Sequence, residues 1–119
     1  MKLRIRGNSI RLRLSQGEVE RFAADGVVED STQFGESSLR YALEASDAAG
    51  EIFAGFTNGR ICVTVPRKTA LEWAAGDAVG IGSNDAVPRV LVEKDFVCLS
   101  PRQGEDESDM FPNPAGKSC

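Results

Sequence analysis

Histidine is absent from the 119 residues. That removes histidine triads, histidine general bases and most zinc geometries. Cysteine is scarce and odd in number. Cys62, Cys98 and Cys119 stand far apart, which is no disulfide framework and contains no Cys-x-x-Cys pair. No run approaches the ~18 apolar residues of a membrane-spanning helix. Met1 to Arg13 alternates charged and apolar residues and lacks the continuous apolar stretch of a signal peptide. The expectation is a soluble, cytoplasmic protein with no membrane partner. P-loop, dinucleotide-binding, nucleophile-elbow and zinc-ribbon motifs are all missing. Net positive charge is missing too: the chain carries −4, so nucleic acid is not an expected partner.

What is present is ordinary for a globular domain. The hydrophobic fraction is 41% and the charged fraction 27%, compatible with one domain that buries its own core. Ser15-Gln-Gly-Glu18 is a capping box, in which the serine caps free backbone N–H groups and the glutamate reaches back. Val19, Phe22 and Ala23 then share a helical face, and Asp25-Gly26 closes the helix. Ahead of it, Ile10, Leu12 and Leu14 alternate with Arg11 and Arg13, a strand pattern.

The same order returns 51 residues later. Ile61, Val63 and Val65 alternate with Cys62 and Thr64, Pro66 stands where Ser15 was, and Ala70, Trp73 and Ala74 match the first helical face. Gly76-Asp77 matches Asp25-Gly26. Leu39 to Glu44 aligns with Pro88 to Glu93 at an offset of 49, matching Arg40 to Arg89 and Glu44 to Glu93. Each half also opens with a strand, Lys2 to Arg6 and Glu51 to Thr57, followed by a turn at Gly7-Asn8 or Asn58-Gly59. A further strand follows each helix, near 27–34 and 78–82.

The pattern predicts an α+β fold, an internally duplicated strand–strand–helix–strand–strand unit. It would form a mostly antiparallel sheet or half-open barrel of about eight strands, with two helices on one face. One domain spans 1–99, with halves at about 1–48 and 50–97. An acidic tail follows at 100–119. Phe22 and Trp73 are the expected helix anchors.

Arg4, Arg6, Arg11, Arg13, Arg40, Arg60 and Arg89 fall at polar strand positions, with Glu44 and Glu93 among them. Arginine presents a fixed fork of donors suited to carboxylate and phosphate. Arg4, Arg6, Arg11, Arg13, Arg40 and Arg89 are therefore the candidate anion-binding set. Glu44 and Glu93 are candidates for a metal site or for ion pairs. A plain solvated face with cross-strand Arg–Glu pairs is the competing reading.

The tail carries Glu105, Asp106, Glu107 and Asp109, then Met110 and Phe111, which give it something to bury. Charge complementarity makes the arginine face its expected docking partner. Cys98 and Cys119 flank this segment and, with its carboxylates, offer a weak set of metal ligands.

The opening Met-Lys-Leu-Arg-Ile-Arg-Gly-Asn-Ser-Ile-Arg-Leu-Arg-Leu resembles an uncharacterised family of small bacterial proteins. So do Leu91 to Phe96, Cys98-Leu99, and the Glu-Asp-Glu-Ser-Asp and Phe-Pro-Asn-Pro segments. That resemblance implies no activity, but it makes the tail part of the domain. In arrangement alone the chain is similar to CYTH-like triphosphate-tunnel phosphatases, duplicated antiparallel barrels lined by Arg, Lys and Glu. Their Glu-x-Glu-x-Lys metal signature is replaced by Lys2-Leu3-Arg4-Ile5-Arg6, opposite in charge.

The leading expectation is a non-enzymatic module that binds a small anionic ligand or an acidic segment and needs no cofactor. A CYTH-like phosphoesterase acting on a phosphorylated small molecule, with a divalent metal at Glu44 and Glu93, is one alternative. A protein-interaction module engaging a partner through the acidic tail is the other. Monomer and dimer are both open.

Overall fold

The computed structural model describes residues 1–96, which hairpin chemistry and helix caps divide into ten elements. The first half contains β1 (Lys2–Arg6), β2 (Ser9–Leu14), α1 (Gln16–Asp25), β3 (Val27–Phe34) and β4 (Ser37–Ser46). The second contains β5 (Phe53–Thr57), β6 (Arg60–Pro66), α2 (Arg67–Ala75), β7 (Gly80–Gly82) and β8 (Arg89–Lys94). The expected duplicated unit is present in both halves.

The turns follow their residues. Asn58 and Gly59 take φ of 51° and 73° between β5 and β6, the doubly left-handed turn that matches strand twist. Gly7 takes φ 53° in the equivalent turn between β1 and β2. Around α1, Ser15 and Glu18 form the expected capping box and Gly26 closes the helix at φ 77°. The second helix ends differently. Gly76 is extended, at φ −97°. Glycine is needed there because a Cβ would meet the Glu72 carbonyl oxygen at 2.8 Å.

The eight strands divide between two four-stranded sheets, and neither closes into a barrel. The first sheet runs β1-β2-β8-β7 and the second β3-β4-β6-β5. Each sheet therefore takes two strands from each half. Hairpin partners are antiparallel, but the seams between halves, β2 with β8 and β4 with β6, are parallel. Exchanging the halves converts one sheet order into the other, so the duplication is expressed as a pseudo-twofold arrangement. The registers agree: Arg13 faces Glu93 across the first seam and Thr64 faces Glu44 across the second.

Alternation then sorts side chains. Leu12, Leu14, Val90 and Val92 of the first sheet point to the core, as do Leu43, Val63 and Val65 of the second. The two helices add Val19, Phe22, Ala70 and Trp73 to the same core. Phe22 and Trp73 meet edge to face, with centroids 6.2 Å apart and planes at 65°, a geometry worth ~0.5–1.5 kcal/mol beyond area burial. The Trp73 indole N–H donates to the Val79 carbonyl at 3.2 Å, which satisfies its one polar atom. The faces not claimed by this core carry mostly polar residues, with Leu91 on the first sheet and Val27 and Phe53 on the second as apolar exceptions. No helix among the described residues is long and apolar enough to cross a membrane.

Candidate functional site

On the outward face of the first sheet, register places side chains in three cross-strand rows. Arg6, Ser9 and Arg89 form one row. Arg4, Arg11 and Leu91 form the next, continued by Gly82. Lys2, Arg13 and Glu93 form the third, continued by Gly80. Six basic side chains thus share a face with one acidic strand residue, Glu93. The alternation of β2 with its core-facing leucines forces Arg11 and Arg13 outward. The antiparallel partner β1 then brings Arg4 and Arg6 alongside.

Ser9 is short, and it stands between the long side chains of Arg6 and Arg89 on neighbouring strands. The result is a concavity of about 320 Å³ lined by Arg4, Arg6, Arg11 and Arg89, with Ser9 and Ser83 among its walls. Ser9 Oγ donates to the Arg6 carbonyl at 2.8 Å. Ser83 Oγ accepts from the Val90 N–H at 2.9 Å, fixing the loop after β7 to β8 beside the concavity.

The charges here are poorly compensated. Among the described residues, Arg4, Arg6 and Arg89 make no ion pair. Arg4 and Arg11 face each other directly across β1 and β2, where Cβ atoms stand about 4.5–5.5 Å apart and like charges repel. Arg11 Nε lies 3.1 Å and Arg13 Nε 3.7 Å from the same Glu93 oxygen, Oε1. That oxygen is closed off from solvent yet has no aligned hydrogen-bond donor. The contact is a charge attraction without a directed bond. At the far end of the face, Lys2 Nζ pairs with Asp95 at 2.8 Å.

The pseudo-equivalent face on the second sheet is built from different residues. Arg60 occupies the place of Ser9 and fills it. Its guanidinium donates to Glu29 at 2.8 Å and to Glu44 at 3.1 Å. These two carboxylates make its proton harder to remove than usual. Cys62, in the place of Arg11, donates its thiol to Glu44 at 3.2 Å. Glu44 is held below the usual carboxylate range by the Cys62 thiol and the Arg60 guanidinium, against a smaller opposing effect of burial. Burial and the Glu44 carboxylate together push the Cys62 thiol up, which favours the protonated thiol over the thiolate. Arg40, in the row of Arg60, donates to the Asn58 carbonyl at 3.4 Å.

Of the six arginines that the sequence grouped as an anion-binding set, four line one concavity. Arg13 lies on the same face but toward Glu93, and Arg40 belongs to the other sheet. Glu44 and Glu93 occupy equivalent places on different sheets, Glu44 beside Arg60 and Glu93 beside Arg11 and Arg13, and do not converge on a shared point. No cluster of three metal-ligating side chains occurs among the described residues. The convergent arginines and paired glutamates of a tunnel-type phosphoesterase are therefore not assembled there. Glu105, Asp106, Glu107, Asp109, Phe111, Cys98 and Cys119 lie outside the described residues. Sequence reading missed Ser9, whose role depends on the parallel neighbour β8, and Glu29, whose strand reads as solvent-exposed along most of its length. The only available signal for Ser9 was a small residue in a position where the repeat carries arginine.

The chain belongs to a family of unknown function, DUF7009, whose model matches residues 1–115. No curated protein and no solved structure matches it.

Proposed function

We propose that this family member is a binding module for a small, multiply charged anion, held in the concavity on the first sheet by Arg4, Arg6, Arg11 and Arg89. The observation that carries the reading is the contrast between its two faces. On the second sheet the arginine is neutralised by two carboxylates and fills its own space. On the first, the arginines surround an unfilled notch and repel one another. An anion with two or more phosphate or carboxylate groups would satisfy several guanidinium forks at once. Each charge-assisted hydrogen bond contributes ~1.5–3 kcal/mol. Several of them, less the cost of ordering long side chains, would give a Kd of about 1–100 μM.

Calorimetric titration with inorganic triphosphate and with citrate tests the reading, alongside a Ser9→Glu variant. That substitution sets a carboxylate between Arg6 and Arg89, where it competes with the anion for their guanidinium forks. Wild type should bind at least one probe, and Ser9→Glu should weaken that binding by about a hundredfold or more, the loss of roughly two charge-assisted bonds. Failure of wild type to bind either anion would overturn the proposal. Equal binding by folded Ser9→Glu would move the site elsewhere.

A further inference from the structure

Besides Glu93, the basic face has a second acidic neighbour, Asp95, which stands next to the last described residue. Asp95 continues the pairing of β8 by donating its N–H to the Leu14 carbonyl at 2.8 Å. It also places its carboxylate 2.8 Å from Lys2, on the arginine side of the first sheet. The chain thus leaves the described fold at the edge of the basic face, with an acidic side chain already engaged there.

From this we infer that the acidic run Glu105–Asp109 of the same chain is an intramolecular competitor for the concavity. The inference rests on the anion-site reading above and adds regulation to it. Four carboxylates, Glu105, Asp106, Glu107 and Asp109, stand against the four arginines of the concavity. The distances allow the match. Leu91 and Arg89, the β8 residues level with the two arginine rows, lie four and six residues before Asp95, or about 13 and 20 Å at strand rise. Residues 97–104 extend to about 26–29 Å at most, enough for Glu105 to return to either row. A segment tethered this closely has an effective concentration of the order of millimolar. A free ligand must displace it, so the apparent affinity is lower than that of the arginines alone.

The full-length chain and a full-length Glu105→Gln, Asp106→Asn, Glu107→Gln, Asp109→Asn variant are titrated with inorganic triphosphate at low salt. Melting temperatures are recorded without ligand. The competitor predicts about tenfold tighter triphosphate binding by the neutralised variant. It also predicts a lower melting temperature for that variant, because the arginines lose their resident counter-charge. Equal affinities with equal melting temperatures would overturn the inference while leaving the anion site standing. Absence of triphosphate binding in both proteins would instead remove the anion-site reading. The melting temperatures alone then decide whether the acidic run touches the face: equal values overturn the inference, a lower value for the variant supports it.

Discussion

Arg4→Gln should stabilise the unliganded protein and weaken its ligand binding. Arg4 faces Arg11 across an antiparallel pair and has no ion-pair partner among the described residues. Relieving a directly opposed like-charge pair contributes ~0.2–1 kcal/mol. In a domain of this size 1 kcal/mol corresponds to a melting shift of about 4–8 °C, so the expected rise is about 1–8 °C. The measurement belongs in the chain whose acidic run has been neutralised, so that loss of a tail contact does not mask the gain. Arg60→Gln is the control of opposite sign. It strips the cation from Glu29 and Glu44, which accept from Arg60 at 2.8 and 3.1 Å, and should lower the melting temperature. Both shifts should shrink at 1 M salt, where the screening length is about 3 Å. Triphosphate affinity of Arg4→Gln should fall by roughly tenfold to a hundredfold, the loss of one charge-assisted bond. A lower melting temperature for Arg4→Gln at low salt would refute the reasoning, since it would mean that Arg4 is held by a compensating partner.

Two predictions concern the second sheet. Because Cys62 and Arg60 hold the Glu44 carboxyl below its usual range, Glu44 adds stability above the unfolded carboxylate pKa of about 4.3. That contribution is lost as pH falls through the lower folded value. Urea unfolding across the acid limb should therefore show a shallower loss of stability in Glu44→Gln than in wild type. Cys62, raised by burial and by Glu44, should react with a disulfide reagent at pH 8 more slowly than a free thiol. In a Cys98→Ser, Cys119→Ser background, Glu44→Gln should speed that reaction; no change would detach the thiol from the carboxylate.

Local rules carried the sequence reading well where the structure is local. Ser15, Glu18 and Gly26 bracket α1, Asn58-Gly59 makes the β5–β6 turn, and alternation in Ile10 to Leu14 separates core from arginines. The internal repeat added the equivalence of Glu44 with Glu93. What escaped is the pairing between distant strands. Nothing adjacent in sequence tells β2 to lie parallel to β8 rather than to a strand of its own half. That choice is made by burial of Leu12, Val90 and Val92 in a core shared by both sheets. The consequence for the site was direct: without β8 beside β2, Arg89 has no relation to Ser9, and the notch between them is invisible. The arginines were legible as residue types at outward positions, but their division between an open face and a neutralised one was not.

The parallel seams have a further meaning. Each half contributes the outer hairpin of one sheet and the returning pair of the other, so neither half possesses a complete sheet alone. Fragments divided in the connection between Ser46 and Phe53 should remain inert separately and reconstitute on mixing. A pair of identical half-length chains would be compelled by symmetry to repeat every outward residue, giving two equal faces. Joined in tandem, the halves escape that obligation. One position is serine in the first copy and arginine in the second, and a single molecule carries an open arginine-lined notch on one side and its own ion-paired counterpart on the other.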